Sequence, residues 1–88
     1  MQQIINRKIY DTNTASRVTN RGPLNHGRTS SLYKTEKGNF FIHSETIWDR
    51  EYDVITPISE EEAKEVYEAM PYHDMDWETA FGEVPEEA

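Results

Sequence analysis

The stretch Leu32-Tyr33-Lys34-Thr35-Glu36-Lys37-Gly38-Asn39-Phe40-Phe41-Ile42-His43 decides the fold. Two runs rich in aromatic and β-branched residues flank a polar connector, Glu36-Lys37-Gly38, with glycine where the chain must reverse. That pattern predicts a β-hairpin with a loop of about three residues, a class that places Gly at its left-handed position. Leu32, Tyr33, Phe40, Phe41 and Ile42 form the densest apolar cluster in the chain, so the core is expected here.

Downstream, Thr46 to Thr56 alternates, with Trp48, Tyr52 and Val54 on one parity and Asp49, Glu51 and Asp53 on the other. Arg50 is the exception on the apolar side. The alternation predicts a strand or an adjoining pair of strands with one covered and one acidic face. Pro57-Ile58-Ser59-Glu60-Glu61-Glu62-Ala63 is the strongest local signal. Ser59 at N-cap with Glu62 at N3 is a capping box, and Ile58 is placed to staple onto Ala63. Ala63, Val66, Tyr67 and Met70 follow helical spacing toward a sheet, and Pro71 stops the helix. Glu60 and Lys64 are spaced as an i, i+4 pair. Asp74 to Phe81 predicts a second short helix capped by Asp74 or Asp76, with Gly82 just past its end and Trp77, Ala80 and Phe81 as the docking stripe.

Upstream, Ile4 to Tyr10 reads as a first strand whose imperfect alternation suits an edge or a bulge. Asp11-Thr12-Asn13-Thr14 is turn chemistry. Ala15 to Thr19 is a second strand or one helical turn, with Val18 and Thr19 favouring the strand. Residues 20–31 form a basic loop with two of the four glycines, and residues 83–88 an acidic tail. The expected fold is therefore a single α+β domain over residues 1–88. A small antiparallel sheet of about 3–5 strands, built on the central hairpin 32–43, is covered by a capped helix 60–70 and a short C-terminal helix 75–81.

Composition narrows the function classes. A chain of 88 residues buries only about 60–68% of the surface its unfolded form exposes, so a large core is excluded. There is no cysteine, which removes disulfides, thiolate metal sites and cysteine nucleophiles. No apolar run approaches a signal segment or a membrane span, so a cytoplasmic location without membrane contact is expected. Net charge is −8, and its layout is asymmetric. Residues 1–44 hold seven Lys/Arg against Asp11 and Glu36, a net of +5. Residues 45–88 hold Arg50 and Lys64 against fifteen acids, a net of −13. Such a division produces opposed basic and acidic surfaces, with which a homodimer is compatible, or halves that neutralise each other within the fold.

Asp49, Glu51 and Asp53 are the leading candidate site. Residues i and i+2 of a strand lie about 6.6–6.8 Å apart on one face, of the order of the phosphate spacing in a nucleic-acid backbone. With Glu60, Glu61 and Glu65 on the helix, they would present DNA-like charge to a Lys/Arg-lined groove. The plainer alternative is a solvated acidic face. Arg17, Arg21, Arg28, Lys34 and Lys37, with Tyr33, form the alternative binding surface, where stacking among cations would hold nucleic acid. The pI of 4.7 disfavours direct nucleic-acid binding, because the overall field repels phosphate. His26, His43 and His73 do not have ligand spacing, and His73-Asp74-Met75-Asp76 without a partner motif is a weak metal signal, so no metal or cofactor is expected. No phosphate loop, nucleophile elbow or Ser/His/Asp signature occurs, and the chain is not expected to be an enzyme.

Several blocks recur together: Lys8-Ile9-Tyr10-Asp11-Thr12 with Thr14-Ala15, Leu32-Tyr33-Lys34-Thr35 with Gly38 and Phe40-Phe41-Ile42-His43, Ile58-Ser59-Glu60-Glu61-Glu62-Ala63, and Phe81-Gly82-Glu83. In this the chain resembles a family of short acidic proteins encoded by bacteria, their phages and plasmids. A small acidic fold in a mobile-element setting is similar in type to the anti-CRISPR inhibitors. That resemblance implies a non-enzymatic inhibitor in the bacterial cytoplasm that binds a Cas effector, Cas9 or a type I surveillance complex, and blocks its access to DNA. The alternative is a regulatory or structural binding module of the mobile element that engages protein or nucleic acid through the basic loop and hairpin.

Overall fold

The computed structural model describes residues 1–19, 27–48 and 51–88. Their order is β1 (Gln2–Ile5), β2 (Lys8–Asp11), β3 (Ser16–Arg17), β4 (Arg28–Lys34), β5 (Phe40–Thr46), β6 (Val54–Ile58), α1 (Glu60–Ala69) and α2 (Trp77–Phe81). The fold is a small α+β one. A four-stranded antiparallel sheet, β3-β4-β5-β6, lies beside a separate two-stranded sheet, β1-β2.

The central hairpin is present and longer than its apolar residues suggest. β4 and β5 pair from Lys34↔Phe40 to Arg28↔Thr46. The Thr35 N–H donates to the Asn39 carbonyl at 2.8 Å and the Gly38 N–H to the Thr35 carbonyl at 2.9 Å, closing a loop of Glu36, Lys37 and Gly38. Gly38 has φ +87°, the left-handed conformation this loop requires. Arg28 to Ser31, expected in the basic loop, are strand residues instead, because pairing with His43, Ser44, Glu45 and Thr46 satisfies their backbone groups. Residues 20–26 of that loop lie outside the described residues.

Alternation along β4 and β5 gives the sheet two working faces. Leu32, Phe40, Ala63, Ala80, Phe81 and Val18 form one buried cluster, with Ile42, Ile58, Val66, Tyr67 and Trp77 packed against it. This is the helix side. Tyr10, Phe41 and Ile55 form the second cluster, with Ile5, Ala15 and Tyr33 at its margin. Here the β1–β2 hairpin covers the sheet. Phe41 is fully buried, with Tyr33 stacked on it at 5.2 Å and Tyr10 edge-on at 5.5 Å.

That hairpin corrects the sequence reading of Ile4 to Tyr10 as one strand. The chain reverses at Asn6 and Arg7, whose φ values are +52° and +65°, and Ile5 pairs with Lys8. Two consecutive left-handed residues make a two-residue primed turn, which matches the twist of its flanking strands. What looked like a bulged alternation is a turn without glycine. Thr46 to Thr56 is corrected too: β5 ends at Thr46 and β6 starts at Val54, with a connection between them.

The helices follow their local signals. The Glu62 N–H donates to Ser59 Oγ at 3.1 Å, and the Ser59 N–H donates back to Glu62 Oε1 at 3.2 Å. Met70 leaves the helix in extended conformation, as the residue before Pro71 must. α2 is shorter than the expected 75–81. Asp76, not Asp74, caps it by accepting the Thr79 N–H at 2.8 Å, and Gly82 closes it at φ +71°. Before α2, the Asp74 N–H donates to the Val18 carbonyl and Thr19 bridges His73, so the edge strand is tied to the helical layer.

Candidate functional site

α1 carries the acidic surface. The capping box fixes its first turn, where Glu60, Glu61 and Glu62 also oppose the positive end of the helix dipole. Burial of Ala63, with Val66 and Tyr67 against the core, turns Glu60, Glu61, Glu65 and Glu68 outward, and all four are exposed. Lys64 is the one cation on the helix. Its ammonium lies 2.8 Å from Glu83, 3.7 Å from Glu61 and 5.9 Å above the Phe81 ring. The hydrogen bond that Lys64 donates to Glu83 raises the Lys64 pKa above its ordinary value and lowers that of Glu83. Lys64 therefore serves the tail more than the expected partner Glu60. Glu60, Glu65 and Glu68 have no ion pair among the described residues.

The sheet-borne carboxylates are arranged differently. Asp49 lies outside the described residues. Glu51 and Asp53 sit in the β5–β6 connection rather than on a strand, so the phosphate-like spacing expected of them has no strand to carry it. Glu51 accepts from Thr46 Oγ1 at 3.1 Å and lies 3.4 Å from Arg28. Asp53 accepts the Thr46 N–H at 3.2 Å, and its other oxygen lies 3.4 Å from His43 Nε2. His43 is 7% exposed, in mid-strand, with Glu45 at 3.6 Å from Nδ1. Asp53 is thus a fastening for the connection, while Glu51 remains at its exposed rim.

The cations expected to form the alternative surface are mostly consumed by the fold. Arg17 pairs with Asp74. Arg28 donates to Ser44 Oγ and to the Tyr52 carbonyl. Lys34 donates to the Ala80 carbonyl at 2.8 Å, neutralising the C-terminal end of α2. Arg21 lies outside the described residues. Lys37, exposed at the hairpin tip, joins Arg7 and Lys8 beside a groove of about 430 Å³ that also involves Tyr10, Thr35 and Asn39. None of these three cations has an ion pair among the described residues. Arg7 and Lys8 were not singled out from sequence. The signal for them is Asn6, the residue type that best tolerates the left-handed first position of a two-residue turn.

A second cavity, about 550 Å³, lies between α1 and the tail, walled by Tyr67, His73, Trp77, Val84 and Pro85. His73 stacks on Tyr67 at 3.8 Å and makes a 2.6 Å hydrogen bond with its carbonyl. Tyr67 donates from its hydroxyl to the Met75 carbonyl, and burial pushes its pKa up. Among the described residues no three His, Asp or Glu side chains converge as a metal site. No helix among them is long and apolar enough to cross a membrane.

No protein-family model, curated protein or solved structure matches the chain.

Proposed function

We propose that this chain is a non-enzymatic inhibitor of the anti-CRISPR type, which binds the DNA-binding groove of a Cas effector with its acidic helical surface. The observation that supports the reading is the outward row of Glu60, Glu61, Glu65 and Glu68 on a capped helix, with the single cation Lys64 drawn to Glu83. A groove lined with Lys and Arg gains the same electrostatic term from such a row as from phosphates. Rigid placement by the capping box lowers the ordering cost of presenting it. Glu51, on the β5–β6 connection, lies 3.4 Å from Arg28, and Asp53 serves the fold, so the reading rests on the α1 carboxylates. His43 is buried against Tyr33, and the exposed His73 lies stacked on the Tyr67 ring.

The test is competition. Cas9 and a type I surveillance complex should lose DNA binding and cleavage at micromolar excess of this protein, less so as salt rises. The triple change Glu60→Lys/Glu61→Lys/Glu65→Lys should abolish that effect. Unchanged DNA binding and cleavage by both effectors would overturn the proposal.

One observation favours a second reading, a mobile-element binding module that uses the basic side. Arg7, Lys8 and Lys37 gather at one groove, Arg7 in a backbone conformation that side chains other than Gly and Asn rarely hold. A gel-shift titration at two salt concentrations separates the readings. Salt-sensitive binding of DNA or RNA that Lys37→Glu removes would support the module.

A further inference from the structure

The cavity between α1 and the tail combines aromatic walls with carboxylates. Tyr67, Trp77 and His73 line it from the helical layer, and Val84 and Pro85 from the tail. Its volume of about 550 Å³ is that of a small-molecule site. Tyr67 and Trp77 stand almost at right angles, their planes 84° apart and their centroids separated by 5.4 Å. His73 lies flat against Tyr67, and the Met75 carbonyl accepts the Tyr67 hydroxyl at 3.0 Å, so this corner is fixed before any ligand arrives. Three carboxylates complete the lining: Glu68, Glu83 and Glu86. Glu83 is spent on Lys64 at 2.8 Å, whereas Glu68 and Glu86 are exposed and have no ion pair among the described residues.

We infer that this cavity takes a quaternary ammonium group, free as in choline or carried on a trimethylated lysine side chain. Indole and phenol rings attract a cation through their electron-rich faces, most strongly when the cation sheds its water easily. The hydrogen-bond acceptors select against a primary ammonium, which needs partners for its three N–H groups. The Tyr67 carbonyl is already engaged by His73, the Met75 carbonyl by the Tyr67 hydroxyl, and Glu83 by Lys64. A fully methylated cation has no N–H to satisfy and gains from rings and aliphatic carbon instead. Charge favours it as well. Residues 60–88 hold Lys64 as their only Lys or Arg against eleven acids, a net of −10. Arg17 and Lys34 reach this layer from the sheet and are tied to Asp74 and the Ala80 carbonyl. Counting both with Arg21, which lies outside the described residues, still leaves −7. Glu68 is the one residue common to this cavity and the outward row of α1, so the site does not depend on a Cas effector as partner.

Choline is the probe, titrated into the full chain while nuclear magnetic resonance follows its N-methyl protons and the ring protons of Tyr67 and Trp77. The neutral isostere 3,3-dimethyl-1-butanol has the same shape without the charge and should bind about tenfold more weakly. Ethanolamine, a primary ammonium of the same charge, should also fall about tenfold behind choline, because its N–H groups lose water without finding acceptors. Glu86→Gln should weaken choline by about threefold, as expected of an exposed charge, and leave the alcohol unchanged. Deleting residues 84–88, all of them exposed, removes the aliphatic wall but spares Glu83 and should abolish the ring shifts, with urea unfolding as the check on the fold. Nε-trimethyl-lysine, titrated in parallel, names the source: tighter binding than choline assigns the group to a modified side chain, weaker binding to a free ammonium, and both support the site. Equal affinity for choline and the alcohol, or for choline and ethanolamine, overturns the inference. So does choline binding that survives the deletion undiminished, since the acidic surface outside the cavity would then account for it.

Discussion

The two sides of the central sheet are built from the same strands and differ in almost everything else. On the helix side, Leu32 and Phe40 meet Ala63, Ala80 and Phe81, and the layer above them ends in outward glutamates. On the hairpin side, Phe41 and Ile55 meet Tyr10 in a smaller cluster, and the covering layer brings Arg7 and Lys8 beside Lys37. The acidic and basic halves of the chain thus meet across a sheet instead of cancelling. The comparison also shows where cancellation does occur. Cations near the helical layer, Arg17 and Lys34, are spent as fastenings to Asp74 and the Ala80 carbonyl, whereas those on the far side are not. Sequence charge becomes surface charge only where the fold has no carbonyl or carboxylate to offer.

The largest expected break in this comparison is Phe41→Ala. It removes a fully buried ring that both Tyr10 and Tyr33 touch, and should cost about 3–5 kcal/mol in chemical denaturation. A loss under about 1 kcal/mol would mean that the hairpin layer contributes little to the fold. On the other side, Ser59→Ala removes the cap of α1 and should cost about 1 kcal/mol by the same measurement, with reduced helical circular dichroism.

Acidification sharpens the contrast further, because among the described residues the groups whose pKa values depart from the ordinary range lie on the helix side. Hydrogen bonds from the Thr79 side chain and backbone N–H hold Asp76 below its usual 3.8, and Lys64 holds Glu83 below its usual 4.5. A carboxyl with a depressed folded-state pKa stabilises the fold above its unfolded pKa and loses that contribution as pH falls through the folded one. Stability should therefore fall below about pH 4.5, and Asp76→Asn should flatten that limb. At the alkaline end, Lys64 and Tyr67 are both raised, so their contributions are complete below about pH 10 and disappear as pH rises through the folded values. Urea titrations from pH 2 to 11 check both limbs. The smallest effect is on the hairpin side. Arg7→Gly relieves a left-handed side chain and should add about 0.5 kcal/mol, since the gain of about 1–2 kcal/mol is partly offset by glycine's greater freedom when unfolded. The same change should weaken any anion binding at the groove, measured by salt-dependent titration.

The helix side was legible because its signals are local. Ser59 and Glu62 stand three residues apart, Ala63, Val66 and Tyr67 repeat at helical spacing, and Gly82 follows Phe81 directly, so each element could be read within one window of chain. The α1 carboxylates were legible for the same reason. Glu51 and Asp53 were misplaced because alternation over Trp48 to Val54 imitates a strand, while backbone bonds to Gly27 and Arg28, twenty or more residues upstream, pull the segment into a braced connection. Likewise Arg17 and Lys34 find their partners 57 and 46 residues away, beyond any local pattern.

By itself the sequence determined the central hairpin, the start of α1, the glycine that ends α2, the three-residue loop at Gly38 and the separation of charge along the chain. All of these follow from backbone preferences and side-chain spacing over a few residues. Tertiary structure alone decided that Ile4 to Tyr10 folds back on itself, that most of the expected cations are structural, and that Trp48 and Tyr52 face outward. Those outcomes depend on which distant groups satisfy one another's hydrogen bonds and which apolar side chains the small core has room to cover.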